Sequence, residues 1–499
     1  MTLSAKTIPR HHAPLVPRRW LAALAPPLVA IGLALLPAPP GLAQVGWWFF
    51  SLFAGVIVGL ILEPVPAAAV GLIGVTLAAL LSRQLLFSPA QLGASGFNVN
   101  SAAIAWALSG FSNSTVWLIF SAFIFSLGYE KTGLGKRLSL LLLSRLGGQT
   151  LSLGYAVMAA DLLLAPFTPS NTARSGGTIY PVIKNIPEFY HSRPNDSSAR
   201  RFGGTLMWTA LASTCITSSM FLTALAPNLL AVELIRKTVH VELNWGQWFI
   251  AFLPVGLVLL ATTPWLAFRL YPPEVRQCPE VPAWARAELL KMGPLARREM
   301  VLLALVSLAL GLWIFGGAVI DPTTAALLVV TLLVVTGTIG WGDVLGDKPA
   351  FNTLIWFGTL VPLAGGLVQT GVVAWLATLV GPHLAALPPL AGLAGLITLF
   401  FLLHYLFASV TAHVTALLPL MLTLATRIPG LPIEKAALAL ALSLGIMGII
   451  SPYGTGPSPV YAGSGFLPAR DFWRLGGLFG AYNLAVFLLL GIPCVLYLG

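Results

Sequence analysis

The feature that most constrains this chain is a set of long stretches without a single charged residue. Residues 249–268, 301–320 and 323–341 are each uncharged and almost wholly apolar. About 20 such residues are what an α-helix needs to cross the hydrocarbon of a bilayer. Lipid offers no partner to a backbone N–H or C=O, so such segments span as helices and an open sheet is excluded. No alternation of apolar and polar side chains marks the strands of an outer-membrane barrel. Composition agrees: 57% of residues are hydrophobic and 9% charged, against ~25% charged in an average soluble domain. The expected fold class is an all-α polytopic membrane protein with about 11 transmembrane helices.

The formal charge of +11 does not point to a nucleic acid, because Lys and Arg gather in short loops between apolar runs. That placement is the positive-inside pattern and reports orientation. With Lys6, Arg10, Arg18 and Arg19 cytoplasmic, the basic loops after residues 128, 183 and 270 also fall inside. The N-terminal apolar stretch before Ala43 is longer than the ~7–15 residues of a signal peptide core, so a retained first helix is expected. Cys215, Cys278 and Cys494 are widely spaced and read as unpaired, with no metal or redox motif.

Residues 150–183 leave one basic loop and return to another, with Pro169 and Ser170 near the middle. Such a segment is expected to be a re-entrant hairpin with its tip at "PSNT". The second half of the chain repeats the plan. Thr115 precedes Thr132-Gly133 by the same 17 positions that separate Thr353 from Thr370-Gly371. Gly133 to Ser170 is 37 positions and Gly371 to Ser409 is 38, after which Ser-Asn-Thr-Ala-Arg (170–174) matches Ser-Val-Thr-Ala-His (409–413) without a gap. The expected organisation is a first helix within 1–45, a repeat over 46–270, a cytoplasmic loop over 271–299 and a second repeat over 300–499 with its hairpin near 387–426. Five spans in each half would insert the second repeat inverted, the plan of secondary transporters, whose sites lie where interrupted helices meet.

Each hairpin is followed by such an interruption, "TSSMFLTALAPN" (217–228) and "SPYGTGPSPVYAGSG" (451–465). Gly454, Gly456, Pro457 and Pro459 cannot continue a regular helix. A helix arm beginning at each tip offers free N–H groups and a partial positive charge, which favours anions. Ser170, Asn171 and Thr172 of the first tip and Ser409, Val410 and Thr411 of the second are the candidate binding residues. Ser218 and Asn228 of the first break and Thr455 and Ser458 of the second join them, and Arg174 and His413 add positive charge one turn in. Small polar residues also pack membrane helices together, but cation and hydroxyls recur here at one spacing. Two facing anion sockets suit a molecule with two carboxylates. Asp161 and His404, on the entering arms, are expected to be internal partners, His383 is given no role, and no metal site or cofactor is expected. Residues 134–147 and 372–385 read as interfacial helices.

At these residues the chain resembles the divalent anion:sodium symporter family. "PSNTARSGGTIYPVI", "HYLFASVTAHVTALLP" and "SPYGTGPSPVYAGSGF" look like its signature segments, and most like those of the exchanger branch, with its bacterial citrate/succinate antiporters and plastid 2-oxoglutarate/malate translocators. The resemblance implies a homodimer in a bacterial inner membrane, working by an elevator motion and exchanging di- or tricarboxylates. It implies that Ser170, Asn171, Thr172, Ser409, Thr411 and Thr455 grip the carboxylates. Val410 departs from the family's second Ser-Asn-Thr and removes one amide. Arg174 and His413 look like fixed charge replacing bound sodium, and a sodium-coupled symporter of the same acids is the alternative. An enzyme is not expected, since no His-Glu-x-x-His and no paired intramembrane aspartates occur.

Overall fold

The structure, a computed structural model, describes residues 17–316, 319–384 and 387–498. Lys6 and Arg10, and the side chains of Arg18, Arg19 and His383, lie outside the described residues. Among the described residues the regular structure is all helix, joined by turns and loops, with one isolated bridge, Gln149 to Gln277. Seven helices are long and apolar enough to cross a membrane, or eight if the bent pair Val99–Ser112 and Ser114–Thr132 counts as one span. Shorter apolar helices, among them Ala67–Leu80, Pro322–Val335 and Val410–Ala425, accompany them.

The bent pair departs from the single helix that the apolar pattern around 103–128 implies. Its halves meet at 41°, where Asn113 takes extended geometry and its Oδ1 caps the Val116 N–H at 3.3 Å. Gly110 sits there against the backbone of Gly358, a contact that any side chain would block. The amide cap and the bare glycine make the bend.

Element order in the two halves runs in parallel. In the first, helix Ser114–Thr132 turns at Gly133 into the short helix Leu134–Leu146, then come hairpin arm Thr150–Leu164, tip and returning arm. In the second, Lys348–Gln369 turns at Gly371 into Val372–Leu384, then Pro389–Leu403, tip and Val410–Ala425. Both corner glycines have left-handed backbone, φ 79° and 80°, a conformation that closes a helix and that a side chain resists. Broken helices follow both hairpins: Gly203–Met220 with Ala226–Val239, and Ile433–Leu442 with Ser458–Ala462.

Two apolar cores organise the chain. The larger gathers hairpin arms and broken helices around fully buried Trp208, Trp248 and Phe401. The other packs Gln44–Leu62 and its neighbours against Leu360, Leu363 and Leu367 and reaches Phe407 and Ala412 beside the second tip. Near the basic end, Arg137 and Glu299 form a buried bidentate pair, 2.7 and 3.1 Å. It fastens the helix before the first hairpin to the start of Arg297–Phe315, so this arginine is structural as well as an orientation signal.

Candidate functional site

At the first tip the entering arm ends in a 3₁₀ turn at Ala165–Phe167, where Pro166 removes one N–H and Pro169 the next but two. The returning arm starts as a π-helix over Thr172–Ile179, a winding that single turns of functional helices often adopt. Ser170 Oγ accepts from the Ala173 N–H at 3.2 Å. Asn171 Nδ2 donates to Thr455 Oγ1 at 2.7 Å and reaches Ser218 Oγ at 3.4 Å, so one amide touches both broken helices. Gly456 lies against Thr172, where a Cβ would collide with the hydroxyl.

Arg174 turns away from the tip. Its Nε meets Asp161 Oδ2 at 3.1 Å and Nη1 donates to Thr168 O at 2.7 Å and Ala224 O at 2.9 Å. Nη2 reaches the hydroxyls of Thr214, Thr217 and Ser218 at 3.1–3.3 Å. Thr217 also donates to Asp161. Each of the guanidinium nitrogens therefore has an oxygen partner, and Asp161 balances the charge.

The second tip is built differently. Ser409 is extended, φ −149° and ψ 132°, and precedes a regular helix, Val410–Ala425. His413 is fully buried, and neither ring nitrogen has a partner among the described residues. Its ring packs against Phe400, Phe407 and His404 at centroid distances of 4.3, 5.2 and 4.9 Å. His404 Nε2 donates to Gly454 O at 2.6 Å and so ties this hairpin to the second break.

The breaks are stitched to the tips. Ala226 N–H donates to Pro169 O at 2.8 Å, and Asn228 Nδ2 spans the first break by donating to Ser218 O at 2.8 Å and Phe221 O at 3.3 Å. Ser458 opens the short helix after the second break, buried, with its N–H donating to Thr455 O at 2.9 Å and its hydroxyl without a hydrogen-bond partner among the described residues.

Both tips and both breaks line one cavity of about 220 Å³. Of the residues expected from sequence, Ser170, Asn171, Thr172, Ser409, Val410, Thr411 and Thr455 line it. Ser218 and Asn228 stand behind it as braces, and Ser458 lies outside its lining. Arg174 and His413 do not face it, which corrects the expectation that they present charge to a ligand. Arg174 is held by Asp161 and a shell of oxygens because an unpaired buried guanidinium would cost several kcal/mol. His413 is shut into an aromatic box. Neither residue therefore presents fixed charge to the cavity in place of bound sodium. Positive potential in the cavity comes instead from the starts of two helices and from side-chain donors.

A wall that sequence reasoning missed completes the cavity: Phe123 of Ser114–Thr132, and Thr353, Trp356 and Phe357 of Lys348–Gln369. Thr353 stood out only as a landmark of the repeat, and the aromatic residues resemble any others in an apolar helix. Among the described residues no group of three His, Cys, Asp or Glu could hold a metal ion.

The chain as a whole is similar to known proteins. The family model of the sodium:sulfate symporter transmembrane region matches residues 17–498. The L-tartrate/succinate antiporter of Escherichia coli (strain K12) is 47% identical over 473 residues, covering 95% of this chain and 97% of that protein. The antiporter of the same name from Shigella flexneri shows the same identity and coverage. Two solved transporters share the fold at 14% identity. MtrF of Neisseria gonorrhoeae has a TM-score of 0.57 and covers 89% of this chain and 97% of its own. YdaH of Alcanivorax borkumensis has 0.51, with 86% and 96%. By the family match and these relatives, the chain belongs to the sodium:sulfate symporter family, the divalent anion:sodium symporters whose signature segments it carries, on their exchanger side.

Proposed function

We propose that this protein is a secondary transporter exchanging C4 to C6 dicarboxylates or tricarboxylates across a bacterial inner membrane. The observation that carries the reading is the convergence of two helix starts and two helix breaks on one cavity of about 220 Å³. That volume is below the roughly 300–1,000 Å³ of pockets for drug-sized ligands, and it suits a small acid. Thr172 and Thr411 hydroxyls, free of hydrogen bonds among the described residues, and the first-turn N–H groups would each take one carboxylate end. A monocarboxylate would leave one set desolvated and unpaired. The relatives named L-tartrate/succinate antiporters support exchange of four-carbon diacids.

In this reading the two hairpins are re-entrant, the halves are inverted repeats, and hairpins with broken helices move as a unit past a fixed wall in a homodimer. Exchange follows from desolvation. An empty cavity would carry unpaired donors through the apolar barrier, whereas a bound dianion satisfies them. The test is efflux of radiolabelled succinate from proteoliposomes into buffer with or without unlabelled dicarboxylate, with sodium or choline. Efflux is expected only into dicarboxylate and in either salt. Brisk efflux into acid-free choline buffer overturns exchange, and strict dependence on sodium would turn the reading to a symporter.

A further inference from the structure

The cavity has two unlike sides. Tips and breaks contribute the hydroxyls, amide and helix starts, while Phe123, Trp356 and Phe357 make the facing wall apolar. Thr353 is the exception on that wall. It is 8% exposed, and its hydroxyl makes no hydrogen bond with any described residue, nor is it sealed away from the cavity. A threonine in a membrane helix ordinarily bonds back to a carbonyl of the preceding turn. Thr359 in the same helix does so, to Ile355 O at 3.0 Å and Trp356 O at 2.9 Å. Thr353, five residues into the helix Lys348–Gln369, makes no such bond among the described residues. Trp356 adds no accessible donor, because its Nε1 is buried.

We propose that Thr353 is a specificity-determining residue that reads a hydroxyl on the carbon chain between the two carboxylates. The inference rests on the dicarboxylate exchange reading and deepens it. The tips hold both carboxylate ends, so the middle of a bound diacid faces the wall, and there a single hydroxyl meets it. Succinate offers that group nothing, whereas tartrate offers hydroxyls on the same four-carbon frame. Because Thr353 belongs to the wall, it leaves the substrate when the tips move. Its effect is therefore confined to one face of the membrane. The helix start carrying Thr353 lies close to the Lys131–Asp343 ion pair, 2.8 Å, at the basic end of the chain. That end is cytoplasmic by the positive-inside rule.

The experiment compares wild type, Thr353→Val and Thr353→Ser in right-side-out and everted membrane vesicles, measuring KM for tartrate and for succinate. Valine keeps the branched shape and removes the hydroxyl, and serine restores it. Thr353→Val is expected to raise KM for tartrate about five- to tenfold at the cytoplasmic face, the effect of one lost hydrogen bond. KM for succinate at that face and both KM values at the other should stay within twofold, and serine should recover most of the loss. Equal loss for both acids, or at both faces, overturns the inference in favour of a packing role. An unchanged tartrate KM overturns it outright. Exchange of succinate by the wild type tests the functional reading separately, so failure of that reading and failure at Thr353 are told apart.

Discussion

The two hairpin tips occupy matching places in the chain and solve the same problem in opposite ways. Four residues after Ser170 stands an arginine whose guanidinium has an acid, two carbonyls and three hydroxyls around it. Four residues after Ser409 stands a histidine with no hydrogen bond from either ring nitrogen and three rings against it. The first tip carries an amide, Asn171, that binds across to Thr455; the second has Val410, 5% exposed. The first winds as π-helix and the second as α-helix. The two tips share where a helix starts and which end faces the cavity. They do not share the chemistry one turn behind.

The largest effect that tests this contrast is at Asp161. Changing Asp161→Asn leaves Arg174 buried without its counter-charge, and breaking a buried pair costs about 3–5 kcal/mol. Much reduced folded yield and a lower unfolding temperature in detergent are expected, with partial recovery in Asp161→Asn combined with Arg174→Gln. Near wild-type stability of the single variant would mean that the pair does not hold the first tip.

Next comes the amide that the second tip lacks. Asn171→Val makes the first tip resemble the second and removes the bond to Thr455, leaving the Thr455 hydroxyl unpaired at about 1–3 kcal/mol. Dicarboxylate counterflow should fall at least tenfold while folded yield is kept. Counterflow unchanged by this substitution would make the tips functionally equivalent.

Helix pattern, the paired landmarks and the positions of tips and breaks were legible in sequence because each follows from local rules. Apolar runs mark helices, Gly133 and Gly371 mark corners, and Pro169 or the 454–459 run mark interruptions. Side-chain direction was not legible. Arg174 and His413 sit at one spacing, and only the neighbours decide that one finds Asp161 and the other a ring of aromatics. The wall was hidden for a related reason, since Thr353 and Phe123 come from helices outside the motifs and become neighbours of the tips only through packing. Asn113 and Gly110 carry the local signal for the bend that hydropathy alone smoothed over.

A smaller effect is expected at the hydroxyls both tips share. Thr172→Ala and Thr411→Ala each remove about 0.5–1.5 kcal/mol of net hydrogen bonding, or up to ~3 if the partner is a carboxylate. Apparent KM for succinate should rise severalfold in both. Ser152→Ala serves as control, because Ser152 Oγ bonds to Leu146 O and Gln149 O at the far end of the hairpin. Equal loss in all three variants would point to folding damage in place of binding.

The smallest effect sharpens the comparison most, and it lies at His413. A buried polar group with no partner contributes nothing by hydrogen bonding, and exchanging it for an apolar group of similar size is nearly neutral or stabilising. His413→Leu fills the space among Phe400, Phe407 and His404 with a side chain that those rings can pack. The change in stability should stay within about 1 kcal/mol, the range for volume-conserving swaps. Arg174→Leu, at the matching position of the first tip, instead strands Asp161 and five oxygen acceptors and should unfold the hairpin. Measured side by side by thermal unfolding in detergent, the two leucine variants should differ widely. If His413→Leu proved as damaging as Arg174→Leu, the imidazole would have to find a partner in another state of the transport cycle, and the two tips would be more alike than this structure makes them.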